Sequence, residues 1–357
     1  MKIGIIGLPQ SGKKKLFELL TSHRINEKDL ASGKPLLGIA EIRDPRFDKL
    51  VDIYKPNKHV KAKINIEVLP KIEQDSVKKG SIFRDIADTD AMCHVVRKFK
   101  DESVYHVHGS VDPERDINEV NSELILNDLI FVEKRLENLE KNIRKTSDKD
   151  LEREKVLLLK FKESLDKEIP LRLLKVPDED RKLIASYPLV TRKEMVVALN
   201  VSDDEINDAS YVKKMQDRYK DQGIKIMQVS AKVEAEIAEL ATIEEKKEFM
   251  GALGIEEPAI DKLTRLCLEA LDLMSFFTVG KDEVRQWTIR KGSLAPEAAG
   301  AIHSDLQRGF IRAEVIKYAD MIEYQTEEKV KQVGKLDIKG KDYTVQDGDI
   351  MNIRFSV

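Results

Sequence analysis

At 357 residues, 36% of them charged, the chain is long enough for two or three domains, each burying a core of its own. Its 62 basic and 65 acidic side chains leave a net charge of −3, which excludes a global pull toward nucleic acid: DNA is not an expected partner, and RNA contact would need a local patch. Cys93 and Cys267 have no Cys-x-x-Cys or His spacing, which argues against a disulfide framework or a zinc site and fits a reduced, cytoplasmic compartment.

The opening KIGIIG runs into a basic cluster without the order of a signal peptide, and no run of about 18 apolar residues predicts a membrane span. Residues 2–6 read as a buried strand and LFELL at 16–20 starts a helix. Between them GLPQSGKK nearly completes the phosphate-binding pattern G-x-x-x-x-G-K-[ST]. Gly7 and Gly12 permit the tight path that turns N–H groups toward phosphates, with Pro9, Gln10 and Ser11 in the turn, and Lys13 supplies a charge. The last position should carry a hydroxyl for Mg²⁺ and carries Lys14, whose ammonium has no lone pair. Lys13, Lys14 and Lys15 keep the turn positive; a Gly-containing turn with exposed lysines explains the same letters.

MCHVVR at 92–97 reads as an interior strand. His94, His106 and His108, with Asp112 and Glu114 after them, offer metal-ligand chemistry, and His106-Val107-His108 would aim two imidazoles to one side of a strand. Exposed histidines in a polar loop are the preferred reading of the same letters, and no metal site is assigned. From Ile125 the apolar residues Leu129, Val132, Leu136, Leu139 and Ile143 follow a heptad seam with charged, solvated positions between. A polar break at 145–150 precedes a second stripe through Leu151, Leu158, Phe161 and Leu165. This predicts an antiparallel helical hairpin inserted between strand runs, as a spacer or partner-binding arm. MVVALN at 195–200 and KIMQVSA at 225–231 complete a doubly wound α/β sheet, with ligands expected at the carboxyl ends of its strands.

VRQWTIR at 284–290 and IRAEVIKY at 311–318 read as strands flanking a helix from near Pro296. LDIKGKDYTV reads as a hairpin around Gly340, and the last strand should bury Met351, Ile353, Phe355 and Val357. A small mixed sheet on one helix, a β-grasp, is the economical fold. Trp287 reads as a core or interface anchor. Lys281, Arg285, Arg290, Lys291, Arg308 and Arg312 could meet RNA phosphates, although Asp282, Glu283, Asp305 and Glu314 interleave with them.

Several segments resemble the YchF/Obg-like ATPases: GLPQSGKKKLFELLT, GIAEIRDPRFDKLVDIYKP, DTDAMCHVVRKF, VSAKVEAEIAEL with EFMGALGIEEPAIDKL, and the stretch from FFTVGKDEVRQWTIRKGSLAPEAAGAIHSDLQRGFIRAEV to GKDYTVQDGDIMNIRF. The resemblance implies a P-loop NTPase domain over 1–118 and 171–272, a coiled-coil insertion over 119–170 and a TGS domain over 273–357, with ATP or GTP as ligand and the ribosome or RNA as partner. It places base recognition at Asn200, Val201 and Asp203, a hybrid of Asn-x-x-Glu and Asn-Lys-x-Asp that also reads as a polar turn. Ser230-Ala231-Lys232 resembles the second base-contacting loop, with the Lys stem packing on the base.

Against that pattern, KPLLGIAEI lacks the first-switch threonine, and Leu69 and Ile72 stand where the second switch has Asp and Gly. With Lys14, three metal-linked features are missing together, which argues against Mg²⁺-dependent hydrolysis. The leading expectation is a nucleotide-binding factor in translation or stress physiology with weak or lost hydrolysis. An active ATPase or GTPase and a scaffold without nucleotide are the alternatives.

Overall fold

A computed structural model describes residues 1–26, 35–70, 81–144 and 148–356. In chain order the strands are β1 (Lys2–Ile6), β2 (Leu36–Glu41), β3 (Lys58–Val60), β4 (Lys63–Val68), β5 (Ala91–Arg97), β6 (Met195–Asn200), β7 (Ile224–Val229), β8 (Leu273–Thr278), β9 (Glu283–Arg290), β10 (Phe310–Ile316), β11 (Leu336–Lys339) and β12 (Ile350–Phe355). The helices used below are α1 (Lys13–Thr21), α2 (Pro45–Tyr54), α3 (Pro113–Ile143), α4 (Lys149–Asp166), α5 (Ala231–Glu239) and α6 (Ala295–Ile302). The chain divides into two compact units, one of residues 1–39 and 65–263, the other of 40–64 and 264–357. Among the described residues no helix is long and apolar enough to cross a membrane.

In the first unit the sheet runs β2-β4-β1-β5-β6-β7. β1 pairs in parallel with β4 and β5, and β6 in parallel with β5 and β7. Every residue of β5 and β6 is buried, as central parallel strands covered on both faces require, which is why their sequences read as largely apolar runs, with His94, Arg97 and Asn200 the buried polar exceptions. β1 sits in the middle, so the loop that follows it opens at the carboxyl edge beside the ends of β5 and β6.

α3 starts earlier than the heptad seam, at Pro113, where Asp112 Oδ1 accepts from the N–H groups of Glu114 and Arg115 at 3.1 and 3.2 Å. Its first turns bury Ile117, Val120 and Leu124 in the sheet's core, and the seam residues continue into a separate cluster with Leu158, Phe161 and Leu165. Ion pairs Glu133–Lys162 and Glu140–Lys155 run in opposite sequence directions and fix the two helices as an antiparallel hairpin. One position between the seam residues is not solvated. Asp128 is fully buried and accepts from the N–H groups of Val190 and Thr191 at 2.9 and 2.8 Å and from the Thr191 hydroxyl at 2.6 Å. Burial raises its pKa, opposed by these donors. Asp128→Asn turns an amide NH₂ toward a donor and is expected to cost about 2 kcal/mol of unfolding free energy, measured by urea titration.

In the second unit the sheet order β11-β10-β12-β8-β9, with β12 parallel to β8 and α6 between β9 and β10, is the β-grasp. α6 begins at Ala295, one residue from the expected Pro296. The expected hairpin around Gly340 does not form: β11 pairs with β10, and Thr344 bridges to Leu294 instead. Tyr343 turns its hydroxyl to Asp349, 2.6 Å away, which draws this stretch off the strand path. In β12 Met351 is buried, Ile353 half-buried and Phe355 47% exposed, because the strand meets β8 only at Ile350 and its far end has a single neighbour; Val357 lies outside the described residues. Trp287 packs 6.4 Å from the Phe276 ring, donates to Thr278 Oγ1 and lies under the Arg285 guanidinium at 4.2 Å, an anchor of this core. Residues 40–64 extend the unit: β3 pairs in parallel with β9, α2 buries Phe47 and Leu50 with Phe277 and Val284, and Arg46 bridges Asp44 and Asp347.

Candidate nucleotide-binding site

Backbone geometry shapes the loop between β1 and α1. Gly7 has φ 144° and Gly12 φ 97°, and an added Cβ would lie 2.4 Å from the Val95 carbonyl in the first case and 2.3 Å from Asn200 Nδ2 in the second. Only glycine fits either position. Gln10 also takes a positive φ, 62°, at the exposed tip beyond the half-buried Pro9. Gly12 caps α1, so its amino-terminal N–H groups face the loop's interior. Lys13 is buried and donates from Nζ to the Gly7 carbonyl at 2.5 Å, folded back across the loop. Ser11 is buried, with no hydrogen-bond partner for its hydroxyl.

The ends of β6 and β7 join this loop. Asn200, 5% exposed, donates from Nδ2 to the Ser11 carbonyl at 3.0 Å and accepts the Ala231 N–H on Oδ1 at 3.1 Å, tying the loop after β1 to the amino terminus of α5. Val201 is buried and continues the β6–β7 pairing through its N–H to the Val229 carbonyl. Ser230 caps α5, its hydroxyl accepting from the Val233 N–H and donating to Asp203 Oδ1 at 3.2 Å. Lys232 pairs with Asp203 Oδ2, a contact that raises the lysine pKa. Gly12, Lys15, Asn200, Val201, Asp203, Ala231 and Lys232 line one open cavity of about 790 Å³. That volume lies within the usual range of ligand sites.

Phe99, Lys100 and Asp101 share this cavity and belong to no nucleotide-binding motif. Their one mark in the sequence is positional: they follow β5 at the carboxyl edge, where doubly wound sheets bind ligands.

Lys14 is exposed and makes no part of the cavity lining. Leu69, in the place the resemblance gives to an aspartate, is 2% exposed and packs with Ile82, Phe83 and Ile86. An ammonium and a core leucine have no lone pair for a cation, so these two positions do not fit a Mg²⁺ ion. Ile72 lies outside the described residues.

The histidines separate. His94 lies fully buried in β5 with both ring nitrogens unpartnered. His106 and His108 sit in a turn, not a strand, with ring centroids 5.9 Å apart. Asp112 caps α3, and Glu114 pairs with Lys214 and Arg218. Of the basic cluster in the second unit, Arg285 pairs with Glu283 and Arg308 with Asp305, a mixed-charge surface. Both cysteines are buried, and neither is in a disulfide.

A glycine-shaped loop leading from a central parallel strand into a helix, wired by an asparagine to a second loop three strands away, defines an α/β protein of the P-loop NTPase fold with a β-grasp unit. Residues 273–356 match the family model YchF-GTPase_C, described as a protein of unknown function (DUF933). The chain is 39% identical to the ribosome-binding ATPase YchF of Bacillus subtilis, over 99% of both chains, and 37% identical to that of Escherichia coli O157:H7, over 100% of this chain and 99% of the relative. It is similar in structure to the Schizosaccharomyces pombe YchF GTPase, with TM-score 0.82 and 30% identity over 99% of this chain and 97% of that one. The chain belongs to the YchF family.

Proposed function

We propose that the chain is a YchF-type nucleotide-binding factor that holds ATP or GTP with weak or lost hydrolysis and acts on the ribosome in the cytoplasm. In this reading the nucleotide-binding domain spans 1–118 and 171–272, with 40–64 packed into the β-grasp unit, the coiled-coil-like hairpin over 119–170 is a contact arm, and 273–357 is a TGS domain. The observation that carries it is a division within the site. The parts that would hold phosphates and base are tied down, Lys13 to the Gly7 carbonyl and Asn200 to both Ser11 and Ala231, while the positions that would hold a metal are an exposed lysine and a core leucine. Ribosome association rests on the relatives, each a ribosome-binding ATPase.

No Mg²⁺-dependent step follows from these residues. The phosphates would take the amino-terminal N–H groups of α1 and the Lys13 ammonium, released from the Gly7 carbonyl. The purine would lie against the Lys232 stem with its edge toward Asp203, a carboxylate that can accept two N–H groups of guanine; ATP is favoured by the relatives' name. That name also favours the second reading, an active ATPase of the YchF type.

Calorimetric titration with ATP, GTP, ADP and GDP, with and without Mg²⁺, separates the readings. Binding that is indifferent to the metal, without phosphate release, is expected, and Lys13→Ala should weaken it roughly tenfold by removing a charge-assisted contact. Steady phosphate release that disappears in Lys13→Ala establishes the active enzyme instead. Ribosome pelleting without any nucleotide binding leaves the scaffold.

A further inference from the structure

The turn after β5 and the first two turns of α3 bring together side chains outside the nucleotide cavity. One ligand atom each from His108, Asp116 and Glu119 lies within 4.8 Å of the others. His108 Nε2 is 2.6 Å from Glu119 Oε2. Asp116 and Glu119 stand three residues apart on one face of a helix whose start is fixed by the Asp112 cap and Pro113. His108 follows from a turn closed by Gly109 at φ 71°.

What surrounds Asp116 has the order of an outer shell. The His108 N–H donates to His106 Nδ1 at 3.2 Å, so Nε2 carries that ring's hydrogen and donates it to Asp116 Oδ2 at 2.9 Å. Arg115 donates from Nε and Nη2 to Asp116 Oδ1 at 3.0 and 2.8 Å. A carboxylate has about four lone-pair sites, so one is left, on Oδ2. The buried carboxylate is thus held in one orientation from two sides, while the side chains of His108 and Glu119, 30% and 21% exposed, leave the third side open to solvent.

We propose that His108 Nε2, Asp116 Oδ2 and Glu119 Oε2 form a divalent transition-metal site of the zinc class, with His106 and Arg115 orienting Asp116 and water in the fourth position. Ligand atoms on tetrahedral zinc stand about 3.3 Å apart, so the trio closes on an ion by rotating the surface side chains of His108 and Glu119 alone. An imidazole with two carboxylates selects Zn²⁺, Co²⁺ or Ni²⁺ over Mg²⁺ or Ca²⁺. Orienting partners around a ligand are the usual company of such sites. The ion would pin the turn to α3 a few residues beyond Phe99, Lys100 and Asp101 of the nucleotide cavity.

The test uses chelator-stripped full-length protein without nucleotide, titrated with ZnCl₂ by calorimetry and with CoCl₂ by visible absorption. One equivalent of either ion is expected to bind, with no competition from excess Mg²⁺. His108→Ala and Glu119→Gln, both near the surface, should each lower Zn²⁺ affinity tenfold or more, roughly the scale of lost ligation, and leave the melting temperature of the metal-free protein unchanged. His303→Ala, at an exposed histidine in the other unit, should bind as the parent does. Absence of stoichiometric binding, competition by Mg²⁺, parent-like affinity in both ligand variants, or an equal loss in His303→Ala overturns the site.

Discussion

Asn200→Ala is expected to weaken ATP and GTP binding by roughly a hundredfold and to lower the unfolding free energy by about 2 kcal/mol. The side chain is nearly enclosed and uses both ends of its amide, one on the Ser11 carbonyl and one on the Ala231 N–H. Truncation strands an acceptor in one loop and a donor in the other, both away from water, and each unpaired group costs about 1–3 kcal/mol. It also opens the space against Gly12 that the Asn200 amide fills, so the phosphate loop loses its backing where its backbone must stay turned. The binding loss is larger than for Lys13→Ala because two halves of the site lose their relative position, whereas Lys13 is one contact. Calorimetry with each nucleotide and urea unfolding of the same samples check both figures; an Asn200→Ala protein that is destabilised yet binds normally would detach this residue from nucleotide recognition.

The strands that hold the site were legible because burial is complete in β5 and β6 and nearly so in β1, while β7, at the sheet's edge, exposes only Lys225. Residues covered on both faces are mostly apolar, so these strands announce themselves locally, and the polar residues at their ends, Asn200 and Ser230 among them, follow by position. The helical hairpin was legible for the same reason at a different period, through Ile125 to Ile143. What the sequence hides is whatever a distant partner decides. Asp128 has the letter of a solvated position and is buried, because two N–H groups and a hydroxyl about sixty residues away replace its water. Residues 40–64 lie between two strands of the first unit and carry no local mark of belonging to the second; their place comes from β3 pairing with β9 and from Arg46 reaching Asp347. Leu69 was legible as a departure from the family pattern, but its role as a core side chain under the loop required the packing with Phe83 and Ile86.

His94→Leu is expected to remove about 2 kcal/mol of the stability that the parent protein loses between pH 7 and pH 5. In the fold the imidazole is fully buried, neither nitrogen has a partner, and its pKa falls from 6.5 to about 3, chiefly through burial and secondarily through the Lys13 charge. The folded chain therefore stays neutral at this residue over a range where the unfolded chain takes up a proton. Stability from His94 is fully present above pH 6.5 and drains away as the pH falls toward 3, with a slope approaching about 1.4 kcal/mol per pH unit. Leucine has no proton to gain and fills a comparable volume in an apolar strand, and with no hydrogen bond lost the substitution leaves no orphan behind. Urea unfolding from pH 7 to pH 5 should show the two curves diverging below pH 6.5, the parent falling faster; parallel curves would mean that His94 gains a partner in solution. Phosphate held by Lys13 would neutralise the second contribution to the depression. Nucleotide should then raise the His94 pKa, visible as a shift of its imidazole carbon resonances, and that response ties occupancy of the loop to the strand beneath it.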